Sequence, residues 1–68
     1  MSAQILVNGK AEALAAATVG ELLAARGIAA ARGVAVAVNG RVVPASAWRD
    51  RALAAGDEIE IVRPFGGG

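Results

Sequence analysis

Asn-Gly occurs twice in the chain, at 8–9 and at 39–40, and each pair is preceded by a short run rich in Ile, Leu or Val. A two-residue Asn-Gly loop favours the type I′ turn, whose twist matches that of antiparallel strands, so each pair predicts a β-hairpin. The first would join a strand over 4–7 to one over 10–14. The second would join a strand over 34–38, where Val34, Val36 and Val38 alternate with Ala35 and Ala37, to a short edge strand over 41–43. Pro44 ends the second pairing because it has no amide hydrogen to offer a neighbour.

Between the hairpins, Thr18 and Glu21 stand three apart and form a capping box, with the Thr hydroxyl on the first turn and Glu21 reaching back to the Thr18 amide. Val19, Leu22 and Leu23 then fall on one stripe of a helix, and Arg26-Gly27 supplies a C-terminal cation and a residue suited to positive φ, which stops it. Over 58–62 the alternation of Glu and Ile, closing on Val62, is that of a strand buried on one face and wet on the other. The connection over 44–56 contains only two large apolar groups, Trp48 and Leu53, and is expected to hold a helical turn that packs both over the end of the core.

The order is hairpin, helix, hairpin, connection, strand. One helix then covers one face of a four- or five-stranded mixed sheet, an α+β β-grasp fold with the last strand between the two hairpins and Glu58 and Glu60 on its exposed face. At 68 residues this is one small domain, and 18 of its residues are Ala, which bury little surface each. A core this thin is expected to give a stability of roughly 3 to 5 kcal/mol.

Composition removes most chemistry. The chain has no Cys and no His, so thiolate nucleophiles, imidazole bases, disulfides and nearly all zinc or haem sites are excluded. No constellation of acid, base and nucleophile suggests an enzyme, and neither a catalytic residue nor a metal ligand is expected. Seven basic against six acidic residues, without a basic cluster interleaved with aromatics, argue against nucleic acid. No apolar run approaches the roughly 20 residues needed to cross a bilayer, and no leader pattern opens the chain, so a cytoplasmic protein without a membrane partner is expected.

The end of the chain has no structural explanation. After Val62 it reads Arg63, Pro64, Phe65, Gly66, Gly67, Gly68, and none of the three glycines has a side chain to pack. Six extended residues reach roughly 20 Å, far enough for a terminal carboxylate to enter another protein's active site while the body stays outside. A backbone without Cβ passes through a narrow tunnel and leaves its carbonyl open to attack. The chain thus divides into a body over 1–62 and a flexible extended tail over 63–68. An inert frayed end is the plainer alternative.

Several stretches together resemble the ThiS/MoaD family of ubiquitin-like sulfur carriers, in its bacterial thiamine-biosynthesis branch. They are Gln-Ile-Leu-Val-Asn-Gly at 4–9, Thr-Val-Gly-Glu-Leu-Leu at 18–23, Arg-Gly-Val-Ala-Val-Ala-Val-Asn-Gly at 32–40, Val43-Pro44 with Trp48, Gly-Asp-Glu-Ile-Glu-Ile at 56–61, and Gly67-Gly68. The likeness covers the whole chain and departs from the usual pattern at Ala45, where relatives often carry a basic residue. It implies a carrier whose Gly68 carboxylate is adenylated by a ThiF-type activating enzyme with ATP, converted by a persulfide donor to a thiocarboxylate, and used as sulfur nucleophile at the thiazole synthase ThiG. The chain itself would bind no cofactor, would be a monomer when free, and would be a recycled substrate and not an enzyme.

Gly66 and Gly67 would thread into the partner with Gly68. Phe65 has two readings, an anchor in an apolar pocket of the partner or a ring folded back on the sheet edge. Arg63 and Pro64 would hold the tail off the sheet, with Arg63 either paired to a partner carboxylate or simply solvated. Trp48 reads as a core plug, and Gly9, Gly40 and Gly56 as turn residues. Glu58 and Glu60 with Arg41, Arg49 and Arg51 would pattern the exposed face with charge, either to orient a partner or as an ordinary wet surface. Two competing functions remain at this level, the small subunit of molybdopterin synthase and a β-grasp interaction module with an inert tail.

Overall fold

The computed structural model describes residues 3–28 and 33–63. Within them run β1 (Gln4–Val7), β2 (Lys10–Ala13), α1 (Val19–Ala25), β3 (Ala35–Val38), β4 (Arg41–Val43), a 3-10 turn (Ala45–Ala47) and β5 (Glu58–Val62). The strands form one five-stranded sheet in the order β2-β1-β5-β3-β4. β5 is parallel to β1 and antiparallel to β3, so the last strand lies between the two hairpins, as expected from the sequence. Leu14 and Val34 fall just outside the strands assigned to them from sequence.

Both hairpins turn at Asn-Gly with positive φ at the two residues, 52° and 83° at Asn8 and Gly9, 53° and 82° at Asn39 and Gly40. This is the type I′ pattern, and Asn is among the few side-chain-bearing residues that accept it.

Alternation along the strands separates two faces. Ile5, Val7, Val36, Val38, Val43 and Ile59 point to one side and are buried against Val19, Leu22 and Leu23 of α1. Trp48 closes one end of this core at 5% exposure, donating from its indole Nε1 to the Val43 carbonyl at 2.8 Å. Leu53 is buried beside it, so the connection packs both its large groups as predicted.

That connection also completes the helix start. The amides of Val19 and Gly20 donate to the carbonyls of Arg51 and Trp48, each at 2.9 Å, and the Glu21 amide donates to Thr18 Oγ1 at 3.2 Å. Each of these first-turn donors, which no helical carbonyl can reach, has a partner. Gly20 lies so close to the connection that a Cβ there would come within 3.3 Å of Arg49 Cα. One detail differs from the sequence reading. Glu21 Oε1 accepts from the amide of Ala17 and not of Thr18, because Thr18 is held extended in a bridge to Ala52 and the amide before it lies over the first turn. At the other end Ile28 donates to Leu23 and Gly27 to Ala24, a Schellman closure with Gly27 at φ 73°. Arg26 pairs with Glu12 and ties the helix end to β2.

Candidate functional site

The site residues expected from the sequence follow directly on β5, the central strand of the sheet. Its other neighbours fix its start. Asp57 accepts from the Ala54 amide through Oδ2 at 2.8 Å and from Asn39 Nδ2 through Oδ1 at 3.0 Å. The first of these bonds, then the second, holds its carboxyl below the usual carboxylate value. The Glu58 amide donates to Asn39 Oδ1 at 3.0 Å, and the Asn39 amide to the Glu58 carbonyl at 2.8 Å.

At the far end a second asparagine does the equivalent work. The Ile61 amide donates to Asn8 Oδ1 at 2.8 Å, and Asn8 Nδ2 donates to the Ile61 carbonyl at 3.2 Å. Val62 pairs with Ala35 across β3, and the strand ends there. Arg63 follows, exposed, and makes no ion pair among the described residues. A shallow cleft of about 290 Å³ flanks this strand end, lined by Val7, Asn8, Arg26, Ile28, Ile61 and Arg63.

Of the tail residues singled out for function, the described structure therefore includes Arg63 alone. Phe65, Gly66, Gly67 and Gly68 lie outside the described residues, as does Pro64, and so do both readings of Phe65. Glu58 and Glu60 are exposed on the face opposite the helix, in register with Leu6 and Ala37. The charge pattern proposed around them is not assembled. Arg41 pairs with Val38 and so sits on the helix side of the edge strand, while Arg49 and Arg51 belong to the connection at the helix start. Besides the two glutamates and Gln4, that face carries Leu6, Val42 at 76% exposure and Val62 at 61%.

The two asparagine side chains were read from sequence only as turn residues. Their signal lay in the choice of Asn at both turns, where Asp-Gly or Gly-Gly would satisfy the same dihedral angles without a carboxamide. Among the described residues no group of three acidic, His or Cys side chains is placed to hold a metal ion, and no helix is long and apolar enough to cross a membrane.

Comparison with known proteins places this architecture. Among curated proteins none is significantly similar to the chain. A crystal structure of a thiamine biosynthesis protein (ThiS) from Geobacter metallireducens is 35% identical, with a TM-score of 0.76 over 96% of this chain and 99% of that one. An NMR solution structure of a thiamine biosynthesis protein from the same organism is also 35% identical, with a TM-score of 0.76 over 96% of this chain and 87% of its own. The model of the ThiS family matches residues 5–68, from the first buried residue of β1 through both asparagine turns to the final glycine, and the chain belongs to that family.

Proposed function

We propose that the chain is a sulfur carrier for thiazole formation in thiamine biosynthesis, with residues 1–62 as the recognised body and residues 63–68 as the arm that carries the reacting carboxylate. The family match carries this reading, because it runs through Gly67 and Gly68 and not only through the folded body. The solved structures of similar sequence are named for thiamine biosynthesis, which favours that branch over the molybdopterin one.

The chemistry follows from the carboxylate. It is a poor electrophile, since attack on it would have to expel oxide. Attack by a Gly68 carboxylate oxygen on the α-phosphorus of ATP, with loss of pyrophosphate, turns it into an acyl adenylate whose leaving group is AMP. The outer sulfur of a persulfide donor then attacks the carbonyl carbon and AMP departs. A thiol cleaves the resulting sulfur–sulfur bond and leaves the thiocarboxylate. A ThiF-type enzyme supplies the first step, and the thiocarboxylate sulfur attacks the intermediate held by a ThiG-type thiazole synthase, after which the carboxylate is regenerated.

No step uses a side chain of this protein as acid or base, which suits a chain without Cys or His and makes it a recycled substrate of cytoplasmic enzymes. Gly66 and Gly67 give the arm a cross-section that a narrow tunnel accepts, Phe65 anchors it in the partner, and Arg63 meets a partner carboxylate. The free protein is a monomer.

The test is the intact mass of the purified protein before and after incubation with its host's activating enzyme, ATP and a sulfur source. A gain equal to the exchange of one oxygen for sulfur, lost when Gly68 is removed, is the expected result. An unchanged mass with an enzyme proven active on another carrier would overturn the reading.

A further inference from the structure

We infer that Asn8 is a positioning residue for the carrier's arm, its side-chain amide completing the grip on β5 at the point where the chain leaves the sheet; this rests on the carrier reading above. The main-chain groups of β5 point alternately toward its two neighbours, β3 and β1. Asn39 and Glu58 face each other and are hydrogen-bonded through the Asn39 amide, so by the period of two Glu60 and Val62 also direct their polar groups toward β3. Ile59 and Ile61 direct theirs the other way, toward β1.

β1 satisfies Ile59 but stops short of Ile61. The parallel ladder runs from the Leu6 amide to the Asp57 carbonyl and from the Asn8 amide to the Ile59 carbonyl. Its next rung would need the main-chain carbonyl of Asn8 and the amide of residue 10. The chain has already turned at Asn8-Gly9, so neither is available to it. The Asn8 carboxamide has the same donor and acceptor as a peptide group and takes both places, accepting from the Ile61 amide and donating to its carbonyl. Without it, the main chain of Ile61 to Arg63 would be hydrogen-bonded from the β3 side alone, through Ala35, the first residue of that strand. An arm whose root swings must be ordered on docking, and that cost falls on binding and not on the chemical step.

Asn39 provides an internal control. It has the same φ, the same following glycine and the same use of Oδ1 on β5, but it acts at Glu58, at the opposite end of the strand. Asn8→Gly and Asn39→Gly both keep the positive-φ turn and remove one carboxamide.

The experiment is ATP–pyrophosphate exchange by the host's activating enzyme as a function of carrier concentration. Asn8→Gly is expected to raise KM for the carrier about fivefold, the equivalent of one net hydrogen bond, relative to Asn39→Gly, with kcat unchanged. In Asn8→Gly the Ile61 amide should exchange with solvent faster while those of β3 do not. Equal KM values for the two variants would overturn the inference and leave the carrier reading intact. No exchange with the wild-type chain, from an enzyme active on another carrier, would overturn both. Should Asn8→Gly not fold at the assay temperature, Asn8→Asp takes its place. It keeps the acceptor for the Ile61 amide and sets a carboxylate oxygen against the Ile61 carbonyl, so its KM should also rise, and a wild-type KM would overturn the inference.

Discussion

The two faces of the sheet are made from alternate residues of the same strands, yet they answer to different demands. On β5, Ile59 is 1% exposed against the helix while its neighbours Glu58 and Glu60 lie open, and on β4 Val43 is buried while Val42 is 76% exposed. A shift of one position on a strand carries a side chain from the element that folds the protein to a surface that folding does not need. Among the described residues most of the large apolar groups are on the closed face, and each is a sizeable fraction of total stability.

The sharpest way to test that division is to remove apolar carbon from each side. Ile59→Ala should cost about 3 to 4 kcal/mol through lost burial and the cavity left behind, comparable with the roughly 3 to 5 kcal/mol expected of the whole domain, so a urea melt should find it near its midpoint already without denaturant. Val42→Thr, on the open side, should change the stability by no more than about 0.5 kcal/mol. Similar losses in the two variants would break the comparison.

The closed face also depends on a polar contact at its end. Trp48→Phe keeps an aromatic ring in place and removes the donor to the Val43 carbonyl, which should cost about 1 to 3 kcal/mol. Because Trp48 is the only tryptophan, the wild-type protein can be followed by its fluorescence and the variant by circular dichroism. Thr18→Ala, which removes the acceptor for the Glu21 amide, should cost about 1 kcal/mol in the same melts.

The parts of this division that were legible in the sequence are those written in spacing. The Glu-Ile alternation of β5 gives its two faces, the Asn-Gly pairs give the hairpins, and the crossover rule places β5 between them. The illegible parts depend on which main-chain groups are left over once strands of unequal length meet. Nothing local to residue 8 says that β1 will stop one rung before Ile61 does, and so nothing local says that its side chain is needed there. The same holds for Glu21, whose partner is set by the distant bridge of Thr18 to Ala52, and for Arg41, whose face follows from pairing with Val38. The role proposed for residues 63–68 raises the opposite problem, since it rests on three glycines that have no side chain to pack.

A further effect belongs to neither face but to the turn that feeds β5. Asp57 accepts from the Ala54 amide and from Asn39, and its carboxyl is held below its ordinary value of 3.8, chiefly by the first of those bonds. A group whose value is lowered by folding binds its proton more readily in the unfolded chain, so it stabilises the fold above the ordinary value. That contribution must fade as the pH falls below 3.8 and through the lower folded value, when the proton removes the charged acceptor. Melting temperatures of the wild type should therefore drop between neutral pH and pH values below that point by more than those of Asp57→Asn, which has no charge to lose. Parallel curves for the two proteins would mean that the Asp57 bonds hold the turn without favouring its ionised form, and that the start of β5 is fixed by Asn39 and the ladder alone.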